Sequence, residues 1–200
     1  MKKVFFAACL LLASAALPAQ ASKPERYIYD PVHTQIMFSV DHLGFSHPHG
    51  RFVKFTGGFS FDPTHPEVSQ ITTVIDTNSI DMCSEEWDRA LKGDDFFNVK
   101  KFPTMTFKST KIEKTGTHTG KLTGDLTLLG VTKPVTLDVT YNKSGTHPLS
   151  RNFIAGFSAT GTIDRTAFGM NYGIPGIGDQ VGLDIQVEGI RQDFDSLKDK

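Results

Sequence analysis

Apolar and polar residues alternate along most of this chain. The stretch "TQIMFSVDH" puts Ile36, Phe38 and Val40 on one side and Gln35, Ser39 and Asp41 on the other. "GKLTGDLTLLG" sets Leu122, Leu126 and Leu128 against Lys121, Thr123, Asp125 and Thr127. "PVTLDVTYN" sets Val135, Leu137, Val139 and Tyr141 against Thr136, Asp138 and Thr140, and "QVGLDIQVEG" repeats the pattern with Val181, Leu183, Ile185 and Val187. Period two is the side-chain repeat of a β-strand, and a single apolar face marks an antiparallel strand covered on one side only. Residues 53–61, 71–76, 104–112 and 153–163 add further runs of this kind. About eight strands separated by turn residues predict an all-β barrel or sandwich.

One segment breaks the alternation. In "SEEWDRALKGDDFFN", Ser84 stands where a helix N-cap would, acids fill the first turn, and Trp87 and Leu91 share a face at helical spacing. Gly93 is placed to end this short helix, and a second turn follows over 94–98. Trp87, Phe96 and Phe97 then read as a plug over one end of the sheet. The loop "GMNYGIPGIG", residues 169–178, is rich in Gly and Pro but too apolar for a solvated connector, and its spacing matches no phosphate-binding fingerprint. It suits the rim of a cavity.

Composition sharpens the interior. The chain holds 16 Phe and one Trp. Phe38, Phe55, Phe59, Phe61, Phe107 and Phe157 fall on inward-reading positions. Gly124, Ala155, Ala159 and Gly161, also inward, are expected to leave space. An eight-stranded barrel is wide enough for one small ligand or for a packed core, and these residues serve either.

Met1 to Ala21, with Lys2 and Lys3, an apolar run from Val4 to Leu17 and the small-x-small Ala19-Gln20-Ala21, reads as a secretory signal peptide. Residues 22–200 then form one exported mature domain. Without the two leader lysines, Lys+Arg falls from 21 to 19 against 22 acids, a formal charge of −3. No basic patch appears, which argues against nucleic acid as a partner. Cys83 stands alone among acids in the mature chain, so an internal disulfide is excluded and a reactive thiolate is disfavoured.

Four of the seven histidines lie between Asp30 and Phe52. His42 shares the side of Phe38 and Val40, whereas His33 shares the side of Gln35. His47 and His49 flank Pro48 in a turn, too few ligands for a structural or catalytic metal centre. No nucleophile motif is present, so neither catalysis nor a cofactor is expected. A metal-dependent enzyme built on His47 and His49 is the weakest reading.

Several motifs in one order carry a resemblance. "YIYDPVHTQIMFSVDHLGFSHPHGRFVKFTGGFSFDP", "DDFFNVKKFPTMTFKSTKI", "GKLTGDLTLLGVTKPVTL" and "GFSATGTIDRTAFGM" with "VGLDIQVEG" resemble the YceI-like family from Tyr27 to Arg191. The resemblance implies a periplasmic, lipocalin-like antiparallel barrel holding a polyisoprenoid, such as a quinone-like or polyprenyl chain, or a similar amphiphile. It also implies a possible cytochrome b561-type membrane partner. Carried onto this chain, the inward motif positions are Phe38, His42, Phe52, Phe59, Phe107, Phe157 and Phe168, with Arg165 in "IDRTAFG"; Trp87, in a segment that departs from the family, and Phe97 complete the expected ligand-facing set. His42 is then a head-group donor or a satisfied core histidine. Arg165 either meets a head group or seals a barrel end by pairing with an acid. The rival reading is an interaction module, a homodimer or a partner of a membrane redox protein, without an obligatory ligand.

Overall fold

A computed structural model of the chain describes residues 23–192, so the stretch read as a signal peptide lies outside the described residues. The alternating segments form the strands β1 (Glu25–Tyr29), β2 (Gln35–His42), β3 (His49–Phe52), β4 (Phe55–Phe61), β5 (Gln70–Asp76), β6 (Ile80–Asp81), β7 (Thr104–Lys114), β8 (Thr119–Leu128), β9 (Val131–Thr146), β10 (Phe153–Asp164) and β11 (Ile177–Arg191). One helix, α1, covers Glu85–Lys92. Every strand pairing among the described residues is antiparallel, and β1 pairs with β11 to close the sheet on itself.

Eleven strands make an eight-position barrel because three positions are each shared by two short strands. Tyr29 in β1 and Ile36 in β2 both pair with β11, at Gly189 and Ile185. β1 then pairs with β4, and β2 with β3. β4 pairs with β5, and β3 with β6. Two of the breaks have a clear local cause. Between β1 and β2, the Asp30 carboxylate accepts the Val32 amide at 2.8 Å and the chain turns. Between β5 and β6, Asp76 accepts the Asn78 amide at 2.9 Å at the head of a single 3-10 turn. The remaining strands, β7 to β11, run unbroken for the height of the barrel.

The alternation translates directly into facing. Along β8, Leu122, Gly124, Leu126 and Leu128 are buried, while Lys121 and Asp125 are exposed. The turn from β8 to β9 is only Leu129-Gly130, both with positive φ (52° and 77°), which matches the right-handed twist of a tight hairpin.

α1 forms as its sequence requires. The Ser84 hydroxyl accepts the Trp87 amide at 3.4 Å, acids sit in the first turn, and Arg89 and Lys92 in the last. The Asp88 carboxylate accepts the Met82 amide at 2.7 Å, tying the helix to the end of β6. Phe96 and Phe97, in the turn after the helix, are buried, as expected of a plug. Trp87 is not: it stays 39% exposed.

Buried apolar residues gather in two groups along the barrel axis. The larger holds Phe52, Ile75, Phe96, Phe97, Met105, Leu126 and Phe168 among others. The smaller holds Tyr27, Phe59, Phe61 and Ala155, with Tyr141 and Phe157 packed on it.

Candidate ligand-binding site

The larger apolar group surrounds a cavity of about 390 Å³ at the α1 end of the barrel. β2 contributes Ile36, Phe38, Val40 and His42, and β11 contributes Val181, Leu183 and Ile185. These inward side chains stay only half-buried because they face this space rather than a packed neighbour. α1 turns Trp87, Ala90 and Leu91 toward the cavity, and the following turn adds Phe96 and Phe97. Its size falls within the roughly 300–1,000 Å³ range of ligand pockets.

Of the residues expected to face a ligand, Phe38, His42, Phe52, Trp87, Phe97, Phe107 and Arg165 share this one cavity. Phe59 and Phe157 do not. They face inward at the opposite end, stacked edge-on at 5.3 Å, and border a separate chamber of about 130 Å³. Phe168 also stands apart: it is 3% exposed in the core and packs behind the cavity wall.

The inward glycines were expected to leave space, and the structure corrects this. A Cβ on Gly124 would lie 2.3 Å from the tip of the Phe107 ring, and one on Gly161 would lie 2.6 Å from Leu137. Each glycine is therefore a seat for a large neighbour. Strand alternation identifies which residues face inward. It does not show that a long side chain leans across onto the next strand.

Arg165 differs from both roles foreseen for it. It is 3% exposed and makes no ion pair among the described residues; its guanidinium instead holds the loop 169–178 by backbone carbonyls. Nε donates to Gly178 O at 2.8 Å, Nη1 to Met170 O at 2.8 Å, and Nη2 to Tyr172 O and Ile177 O, each at 2.9 Å. Burial pulls its pKa below the usual arginine value, and Asp179 and Asp164 push the other way. The planar five-donor fork of arginine suits this task, in which four carbonyls converge from one loop. Met170, Tyr172 and Ile177 from that loop line the cavity, so Arg165 shapes the site through the backbone.

His42 stands at the mouth with its ring centroid 5.8 Å from that of Trp87. Its backbone amide donates to Ser46 O at 2.9 Å, fixing the turn, while its ring makes no hydrogen bond to the described residues. A ring nitrogen facing an apolar space is a natural partner for a phenol or carbonyl.

His33 lies in the turn before β2, not on a strand, and well away from His42. Its Nδ1 is 2.9 Å from Asp30 Oδ2 and 3.8 Å from Glu188 Oε2. The hydrogen bond to Asp30 raises the His33 pKa above its ordinary value. Burial would raise the Asp30 pKa, but the bonds from His33 and the Val32 amide outweigh it and leave that pKa low. These three are the one group of His, Cys, Asp or Glu among the described residues whose ligand atoms gather within 4.8 Å. The geometry is that of a hydrogen-bonded turn lock. His47 instead approaches Asp41 at 3.6 Å. Cys83 is free and exposed.

Sequence reasoning missed the methionines. Met82, Met105 and Met170 all line the cavity. Met105 shares the alternation of Phe107 and could have been read from it, whereas Met82 and Met170 sit in turns with no period. Flexible thioethers suit a wall that must follow an irregular ligand.

Residues 27–189 match the YceI-like domain. The chain belongs to the YceI-like family. A UPF0312 protein of Pseudomonas putida is 40% identical over 195 residues, covering 96% of this chain and 99% of its own. Among solved structures, the YceI protein of Campylobacter jejuni is 32% identical with a TM-score of 0.69, over 76% of this chain and 90% of its own. A polyisoprenoid-binding domain from Saccharophagus degradans, implicated in plant cell wall breakdown, shares the fold with a TM-score of 0.58 at 15% identity, over 85% of this chain and 100% of its own. In this YceI-like barrel, the segment "DDFFN" supplies Phe96 and Phe97 to the cavity, and "IDRTAFG" supplies Arg165.

Proposed function

We propose that this YceI-like chain is a periplasmic carrier that holds the hydrocarbon tail of a polyisoprenoid, quinone-like or polyprenyl, or of a similar long-chain amphiphile, inside the barrel. The observation that carries the reading is the cavity of about 390 Å³ with its almost wholly apolar wall. Such a space stays dry when empty, and each methylene buried in it is worth about 0.8 kcal/mol. The polyisoprenoid binding of the structurally similar Saccharophagus domain points to the same ligand class. The leader-like first 21 residues support export. Among the described residues, no nucleophile, base and orienting group are gathered around the cavity, which favours binding over catalysis.

His42 takes the head group at the mouth. Substituting His42 by Leu is expected to lower affinity for a phenol- or quinone-headed chain while leaving a plain hydrocarbon tail unaffected. Equal losses for both would remove His42 from the head-group role.

A second reading has its own support. Leu43, Phe45, Tyr172 and Ile174 are exposed apolar residues on the two loops beside the mouth, with Phe45 at 87%. In this reading the barrel docks through that rim, on a second copy or on a membrane redox protein of the cytochrome b561 type. Purification from the periplasm without detergent, organic extraction and mass spectrometry separate the two. A stoichiometric isoprenoid supports the carrier. An empty extract from a stable protein that sediments as a dimer supports the docking module.

A further inference from the structure

The barrel interior is not one continuous space. On three strands, nearby inward positions face different chambers. Leu137 borders the large cavity and Val139 the small one. Phe107 and Ile112 divide likewise on β7, and Leu126 and Leu122 on β8. Leu122 and Leu137 are direct cross-strand partners, yet each faces its own chamber. The wall between them is made of side chains that each meet one chamber, with Phe107, Leu126 and Leu137 on the near side and Ile112, Leu122 and Val139 on the far side. Phe107 is its widest member. Its ring lies over Gly124, the inward position between Leu122 and Leu126, which is the height of the divide. A side chain at Gly124 would collide with the ring tip at 2.3 Å, so the glycine is what lets the ring lie across.

We propose that this wall is a chain-length stop, with Phe107 seated on Gly124 as its determining residue. The inference rests on the carrier reading and names the length of tail that the site takes. An apolar cavity of about 150 Å³ admits one benzene, so about 390 Å³ takes roughly 15 carbons, or about three isoprene units. The far chamber, at about 130 Å³, takes about one unit more. A tail of about three units fills the large cavity with the stop in place, by that same scaling. A longer tail must displace Phe107 or leave its excess outside the mouth.

The test uses the mature protein stripped of lipid and titrated with geraniol, farnesol, geranylgeraniol and solanesol. Each carbon buried strengthens binding by up to about fourfold, so farnesol is expected to bind at least about tenfold tighter than geraniol. Geranylgeraniol and solanesol are expected to gain less than about threefold over farnesol, since their extra carbons find no new wall. In Phe107→Ala the two chambers join, and geranylgeraniol gains at least about tenfold over farnesol. Leu122→Ala breaches the same wall from the far side and gives the same shift. It serves as the second variant should Phe107→Ala fail to fold, as judged by a cooperative melt. Wild-type affinity that climbs unchecked through geranylgeraniol overturns the stop, as does an unmoved plateau in a folded variant. Failure of every polyprenol to bind the wild type overturns the carrier reading itself, and the stop with it.

Discussion

Replacing Arg165 by Met tests whether a buried guanidinium organises the mouth through backbone carbonyls. The change keeps most of the side-chain length and removes four hydrogen bonds of 2.8–2.9 Å. Hydrogen bonds to a charged group contribute about 1.5–3 kcal/mol each, so four would give an upper bound of roughly 6–12 kcal/mol. Two effects reduce that figure. The arginine is 3% exposed and makes no ion pair among the described residues, so removing it also removes a desolvation penalty of several kcal/mol. The carbonyl of Tyr172 sits on a surface loop and can turn to water once released. The expected loss is about 3–5 kcal/mol, comparable to breaking a buried charged pair. Urea unfolding measures it, and hydrogen exchange over residues 169–178 locates it. Arg165→Lys is expected to recover less than half, because one ammonium cannot reach carbonyls spread around a planar fork. A loss under about 1 kcal/mol, or full rescue by lysine, would refute the clamp.

Gly189→Ala places a methyl 2.4 Å from the Phe59 ring and 2.9 Å from Tyr27, and should cost about 1–3 kcal/mol by overpacking, read from the denaturation midpoint. Ser84→Ala removes the cap of α1; because that bond is long at 3.4 Å, the cost should sit near about 0.5 kcal/mol, the low end for N-caps. The raised His33 pKa stabilises the fold below the ordinary histidine value and loses that contribution as pH rises through the folded value. The lowered Asp30 pKa contributes above the ordinary carboxylate value and is lost as pH falls through the folded one. The melting-temperature gap between wild type and His33→Gln should therefore be wider near about pH 5.5 than near about pH 8.5, and a gap independent of pH would exclude the pair.

The strands were legible because a one-sided β-strand writes its facing into a period of two, as in Leu122 to Leu128 and Val135 to Tyr141. The helix was legible from Ser84, its acids and Gly93. What escaped were relations between segments. Nothing in "GKLTGDLTL" says that Gly124 carries the ring of Phe107, because that contact is set by register with β7. The acids beside Arg165 suggested an ion pair, whereas its partners are carbonyls, which every residue has and no sequence distinguishes. Phe59 and Phe157 were placed inward correctly. Periodicity tells which face a residue occupies and not how far along the barrel it lies, so their separate chamber was invisible.

The three divided positions give the barrel a stiff back and a soft front. β7 to β11 span its full height, so a push at one end of any of them reaches the other end. On the opposite side, β2, β3 and β6 form a panel hung from β11, joined to each other by short ladders of four and two residue pairs. Beyond β6 the sheet order ends, and the chain passes into α1, which Asp88 ties to Met82 at the end of that strand. The panel is therefore held by fewer ladder bonds than the strands behind it, and hydrogen exchange is expected to run faster over β3 and β6 than over β8 and β9.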